Sequence, residues 1–172
     1  AGWLAGDTVT VSASGLFDNK DVGAGKTVNL TSSYGGADAG NYSITDQATT
    51  TANITQRAIN ISGITAANKV YDGNTTATVD TTGASGWLAG DTVTVSSSGL
   101  FDNKNVGTGK TVTLTSSYGG TDLGNYSITN QATTTADITQ RPINISGITA
   151  TNKVYDTNTT ATVDTTGAAG WI

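Results

Sequence analysis

The 172 residues contain no cysteine, histidine, methionine or glutamate, and proline appears once, at Pro142. Without cysteine there are neither disulfides nor thiolate metal sites. Without histidine or cysteine the familiar nucleophile–base triads cannot be built, and no motif places a Ser–Lys pair among the eight basic residues. The chain is therefore expected not to be an enzyme and to carry no catalytic residue. Aspartate supplies all 13 acids, and the net charge of −5 argues against a phosphate-binding surface and a nucleic-acid partner. No apolar run approaches the ~18 residues of a membrane span, so direct membrane insertion is not expected. No secretory leader is visible, as expected of a stretch taken from inside an array.

What is abundant is threonine, roughly one residue in five, together with glycine, serine and asparagine. Charged residues are only 12%, against ~25% in ordinary domains. Threonine favours strands, glycine, asparagine and aspartate favour turns, and strong helix formers are scarce. The composition is that of an all-β protein with many tight turns.

The chain also repeats itself. Trp3, Trp87 and Trp171 stand 84 apart, as do Tyr42 and Tyr126, Arg57 and Arg141, and Tyr71 and Tyr155. Residues 3–86 and 87–170 align without a gap and differ at 12 of 84 positions. Such a period marks an array of small units and not one long domain. An 84-residue unit can bury enough apolar surface to fold without staples.

Strand alternation is clear within one period. Asp91 to Ser97 places Val93 and Val95 on one face. Lys110 to Tyr118 places Val112, Leu114, Ser116 and Tyr118 on one face and Thr111, Thr113 and Thr115 on the other. Asn125 to Gln140 gives Tyr126 and Ile128, then Ala132, Thr134, Ala136 and Ile138. Arg57 to Ile64 offers Ile59 and Ile61, and Lys69 to Val79 offers Val70, Ala77 and Val79. The stretches 102–107 and 118–125 read as turns, with a single helical turn near Asp122. Five or six short strands suggest a small β-sandwich or a β-grasp-like sheet with one short helix.

The differences between copies fall mostly in these turns, as at Ala24/Thr108, Ala37/Thr121, Ala39/Leu123 and Gly73/Thr157. Asn29/Thr113 and Asn53/Asp137 fall on outward strand positions. The joint between units is placed at Gln56/Arg57 and Gln140/Arg141, with Ala58/Pro142 just beyond it, where proline suits the start of an edge strand. The expected organisation is thus 1–56 as the C-terminal part of one repeat, 57–140 as a complete repeat, and 141–172 as the N-terminal part of the next. So short a joint predicts units running end to end as a rod. Each compact unit has a radius of gyration of ~12 Å and should add roughly 30–45 Å. The partners expected are neighbouring repeats, with the two partial ends open to head-to-tail completion between chains and exposed edge strands open to lateral association.

Asn68-Lys69-Val70-Tyr71-Asp72-Gly73-Asn74-Thr75-Thr76-Ala77 resembles the signature of YDG-type repeat domains, which occur in large bacterial adhesins of the filamentous-haemagglutinin class. The likeness continues through 101–112, through Gly120 to Tyr126, and into Ala136-Asp137-Ile138-Thr139. Thr157 departs from the motif's glycine and speaks against a positive-φ requirement at that turn. The resemblance implies export to the cell surface or extracellular matrix, repetition, and a stalk role in adhesion or biofilm. It supplies no catalytic residues.

Four other chemistries deserve weighing. Calcium takes oxygen ligands, and Asp102, Asn103 and Asn105, with Asp18, Asn19 and Asp21 in the first copy, form the best cluster. The spacing lacks the full calcium-loop pattern, so Asx turns joining strands are the favoured reading and no cofactor is expected. A buried Lys104 or Lys110 beside an acid would permit an isopeptide cross-link. Trp87 and the tyrosines offer a glycan-stacking surface, but packing against the core or between units is favoured, with Tyr71 and Tyr126 in the core. The Asn-x-Ser/Thr sequons at Asn60, Asn125 and Asn144 are expected by chance in such a composition. The leading reading is a structural spacer, and the competing one is a module that binds glycans or neighbouring stalks weakly through many copies.

Overall fold

Alternating threonine and β-branched or aromatic residues make nearly every regular segment of this chain a strand, and the computed structural model describes residues 2–170. In chain order the strands are β1 (Thr10–Phe17), β2 (Gly23–Gly35), β3 (Thr49–Ile54), β4 (Arg57–Asn60), β5 (Thr65–Ala66), β6 (Lys69–Val70) and β7 (Thr76–Ala77). There follow β8 (Val79–Asp80), β9 (Thr94–Phe101), β10 (Gly107–Gly119), β11 (Tyr126–Thr129), β12 (Thr133–Thr139), β13 (Thr149–Ala150) and β14 (Val163–Asp164). Among the described residues there is no α-helix. The helical turn expected near Asp122 is a three-residue 3-10 turn, Leu123–Asn125, matched by Ala39–Asn41 in the first copy.

Residues 57–140 build three sheets around one core. The largest is a five-stranded sheet in the order β6-β12-β10-β9-β7. Its β9–β10–β12 meander is antiparallel, and β6 adds to β12 in parallel, Ile138 opposite Lys69. The other two are short ladders, β4 parallel to β11 with Tyr126 opposite Arg57, and β5 antiparallel to β8. All eleven buried hydrophobic side chains among the described residues lie between Ile59 and Ile138 and form one cluster. Val112, Ile138 and Ile64 are its best-enclosed members. Each such aliphatic side chain contributes on the order of 1.5–3 kcal/mol by leaving water.

The alternation predicted for β10 holds, with Val112 and Leu114 buried and Thr111, Thr113 and Thr115 exposed. The β9 pattern runs further than expected, to Phe101, which is 3% exposed. Gly99 on the same face leaves room for Val79 and Val112 in the core. A Cβ there would stand 2.7 Å from Val79 Cγ2 and 2.8 Å from Val112 Cγ1.

Three expectations need correction. Val70 points outward at 49% exposure, while its neighbours Lys69 and Tyr71 are half-buried. The cause is Lys69, whose Nζ donates to Asp72 Oδ1 at 2.8 Å, Asn74 O at 2.9 Å and Thr76 O at 3.1 Å. It also lies 5.5 Å over the Phe101 ring. With its charge satisfied, the lysine takes the inward place and valine turns out. Ala132 is exposed because it precedes β12, which begins at Thr133. Finally, Thr157 does adopt positive φ, +63°, like Gly73 at +82°. The turn therefore demands the left-handed region in both copies, and threonine accepts it at a cost.

The flanking segments are built from the same sequence without the same enclosure. β1, β2 and β3 form a three-stranded antiparallel sheet whose registers repeat those of β9, β10 and β12, including the bulge before Lys26 that matches the one before Lys110. Yet β1 carries no buried residue, and Phe17, the equivalent of Phe101, is 40% exposed. Residues 141–170 keep only the β13–β14 ladder and a Ser146–Ala169 bridge. Their Ile143, Ile145 and Ile148 are 52%, 50% and 54% exposed, where Ile59, Ile61 and Ile64 are 7%, 4% and 1%. Trp171, the third tryptophan of the ladder, lies outside the described residues.

Candidate functional site

The polar contacts that reach furthest along the chain gather where residues 1–56 meet 57–140. The β1–β2 turn, an Asx-type loop at 18–22, brings Lys20 to two carboxylates of the following segment. Lys20 Nζ lies 2.8 Å from Asp91 Oδ1 and 2.8 Å from Asp122 Oδ1. Both acids are also held by other groups of residues 57–140. Asp91 Oδ2 accepts the Tyr126 hydroxyl at 2.6 Å, and Asp122 Oδ2 accepts the Thr92 N–H at 2.8 Å. Next to them Asn125, on the 3-10 turn, accepts the Val22 N–H at 2.9 Å and donates to Asp21 Oδ1 at 3.3 Å. Gln56 Nε2, at the joint itself, donates to Gly124 O at 3.1 Å.

The electrostatics follow from this geometry. Lys20 holds both Asp91 and Asp122 below the ordinary carboxylate range, helped by the Tyr126 hydroxyl at Asp91 and the Thr92 N–H at Asp122. The same two hydrogen bonds push the Lys20 ammonium above its ordinary value. Asp91 in turn pushes the Tyr126 phenol up. Lys20 is 64% exposed, whereas the carboxylates are 16% and 15% exposed. An exposed lysine contributes little alone. Two hydrogen-bonded acids, three amide-type contacts and a two-residue connection between β3 and β4 act together on one orientation.

The first copy repeats the acceptor. The Tyr42 hydroxyl donates to Asp7, and Asp38 Oδ2 accepts the Thr8 N–H at 2.9 Å. Lys104, the equivalent of Lys20, is exposed and enters no ion pair among the described residues. The clamp residues were not singled out from sequence. Lys20, Asp91, Asp122, Asn125 and Gln56 do recur unchanged at the 84-residue spacing, as do most positions of the repeat.

Of the calcium candidates, Asp21 lies in this contact, where it accepts from Asn125; the others lie elsewhere. Asp102, Asn103 and Asn105 share the β9–β10 turn. Asp102 Oδ1 lies 2.8 Å from Lys110 Nζ, and Asn103 Oδ1 accepts Lys110 Nζ at 2.9 Å and the Asn105 N–H at 3.0 Å. Lys110 holds Asp102 below the ordinary carboxylate range. The oxygens that would face a cation are thus turned to an ammonium. Asp18, Asn19 and Lys26 form the same arrangement in the first copy. No group of three histidine, cysteine or acidic residues converges as metal ligands among the described residues. Lys110 is 9% exposed and Lys104 is exposed. The Lys110–Asp102 contact is a charge pair, whereas amide condensation needs the neutral amine and neutral acid.

The motif 68–77 supplies both edge strands of the five-stranded sheet, β6 and β7. Asn68 Oδ1 accepts the Asp137 N–H at 2.7 Å, and Lys69 and Asp72 knot the turn. Of the aromatic residues in 57–140, Phe101 and Tyr126 are buried, and Tyr71, Trp87 and Tyr118 pack against the core.

A family model described as YDG domain matches residues 1–52 and 55–136, well over half of the chain. No curated protein and no solved structure matches it.

Proposed function

Because the chain belongs to the YDG domain family, we propose that it is a structural spacer, a stretch of the stalk of a secreted bacterial adhesin or extracellular matrix filament. The complete unit is 57–140, flanked by the C-terminal part of one unit and the N-terminal part of another. In support, the core is confined to 59–138, and the family match divides at residues 53–54, beside the proposed joint. The observation that supports the reading is the contact of Lys20 with Asp91 and Asp122 across the proposed joint. A spacer needs that more than it needs a pocket, and aromatic side chains of 57–140 serve packing instead of a stacking surface.

The competing reading is weak multivalent binding of glycans or neighbouring stalks. Arrays of two, four and eight units, displayed on a cell surface beneath a fluorescent reporter, separate the two. A spacer raises the reporter by an equal step per unit and leaves capture of a glycan panel at background. Glycan capture that climbs with repeat number, at constant reporter height, contradicts it.

A further inference from the structure

We infer that 57–140 is built to carry tension along the chain, because its first and last segments lie side by side in parallel and a pull on the unit must shear them past each other. This rests on the reading of 57–140 as the unit between two joints, and it holds whatever the array displays. β4 pairs with β11 in parallel, from Arg57 opposite Tyr126 to Asn60 opposite Thr129. β6 pairs with β12 in parallel, Lys69 opposite Ile138 and Val70 opposite Thr139. Partners stand 69 apart in sequence in both ladders, as do Asn68 and Asp137 just before the second, so the two ladders keep one register. Residues 57–70 therefore run beside 126–139 as a single track. The chain enters this track at Arg57 and leaves it after Thr139, at opposite ends.

Between the ladders single bonds keep the track closed. The Ile61 N–H donates to Thr129 O at 2.9 Å, and Gln131 accepts the Ile64 N–H at 3.0 Å and donates to Ile64 O at 2.7 Å. Asn68 Oδ1 accepts the Asp137 N–H at 2.7 Å, and the Thr139 hydroxyl donates to Lys69 O at 3.3 Å. The Tyr71 N–H closes the far end on Thr139 O at 2.9 Å. Burial shields these bonds from water. Ile59, Ile61 and Ile64 on the first segment, and Tyr126, Ala136 and Ile138 on the last, all belong to the core. Tension through Arg57 draws the first segment toward its N-terminal end, while tension through Thr139 draws the last toward its C-terminal end. For parallel neighbours these are opposite directions along one axis, so every bond of the track is strained at once. Peeling from one end would break the same bonds one pair at a time. Forced unfolding is governed by the barrier to leaving the native state, and here that barrier includes moving buried side chains of both segments past their neighbours. β12 is held on its other side by β10, from Thr133 opposite Thr113 to Ile138 opposite Gly107, so its sliding disrupts the five-stranded sheet as well. Every residue of the track lies within 57–139.

The test pulls single molecules of the full 172-residue chain along two axes. Cysteine is absent, so handles attach only where it is introduced, and Thr55, Val70 and Arg141 are all exposed. Thr55→Cys with Arg141→Cys grips both joints and loads the track in shear. Val70→Cys with Arg141→Cys grips one end and peels β6 from β12. Six backbone pairs share the load on the first axis and one pair at a time bears it on the second. At equal loading rate the joint-to-joint axis should therefore rupture at a force at least about threefold higher. A loss of overall stability lowers both forces together, so the ratio is the readout. Gln131→Ala, which unpins the middle of the track far from Val70, should lower the joint-to-joint force and the ratio. Val95→Ala, in β9 and off the track, should leave the ratio nearly unchanged. Urea unfolding of each variant checks that 57–140 is folded. Scattering from unloaded arrays is blind to this anisotropy, so the spacer reading can fail while the anisotropy stands, and the reverse. Equal rupture forces on the two axes overturn the inference. So does a ratio that Gln131→Ala and Val95→Ala lower alike, which would place the resistance in the core as a whole.

Discussion

Phe101 and Phe17 occupy the same position in two copies of one sequence, and replacing each by alanine should have very different consequences. Phe101 is 3% exposed, beneath Lys69 at 5.5 Å, in a sheet closed by β6 and β7. Phe17 is 40% exposed, on a sheet that lacks both strands. Emptying an enclosed phenylalanine site costs about 3–5 kcal/mol, because a cavity remains. Phe17 is already open to water, so only part of the transfer energy is lost, about 1 kcal/mol. A unit of this size has about 4–12 kcal/mol in all. With a urea slope of about 1 kcal/mol/M, Phe101→Ala should lower the midpoint by about 3 M or abolish folding, and Phe17→Ala should leave it within about 1 M. The assay is urea unfolding by circular dichroism, with amide exchange of β10 and β12 read in parallel, at a dilution where the chain sediments as a monomer. Equal effects of the two substitutions would refute the view that 57–140 alone holds the core.

Three further outcomes are expected. The Tyr118 hydroxyl is enclosed without a hydrogen-bond partner, whereas Asp46 sits beside the equivalent Tyr34, where the second copy has Asn130. Tyr118→Phe should therefore be neutral or stabilising by up to about 1 kcal/mol, and a loss above that in thermal unfolding would count against it. Gly73→Thr should destabilise 57–140 by roughly 1–2 kcal/mol, since the turn requires positive φ, +82° at Gly73; no change would mean that the turn relaxes. The Lys20 clamp should persist across the neutral range. Asp91 and Asp122 are lowered, so their share is full above the unfolded value near 3.9 and fades as pH falls below it. Lys20 is raised above 10.5, so its share is full below that value and is lost as pH climbs beyond it. NMR relaxation should show the halves tumbling together from about pH 5 to 9, and loosening within that window would contradict the assignment, because the chain has no histidine to titrate there.

Much of the fold was legible because period-2 alternation is strong where strands are long. β10 reads directly from Val112 and Leu114 against Thr111, Thr113 and Thr115. The two-residue strands β5 to β8 are too short for a period, and there the inward residue is set by tertiary bonding. Lys69 displaces Val70 from the interior because Asp72, Asn74 and Phe101 converge on it, which no local pattern encodes. Ile64 is buried after a turn at Gly63, φ +85°, that resets the alternation. The clamp was less legible still. Lys20 and Asp122 are 102 residues apart and each sits in an ordinary-looking turn, so no local pattern hinted at a shared task.

X-ray scattering from arrays of two, four, six and eight units tests the spacer account most directly. It predicts that the maximum dimension grows linearly, by roughly 30–45 Å per unit for compact units of this length. Growth with about the square root of unit number, as for freely jointed beads, would contradict it.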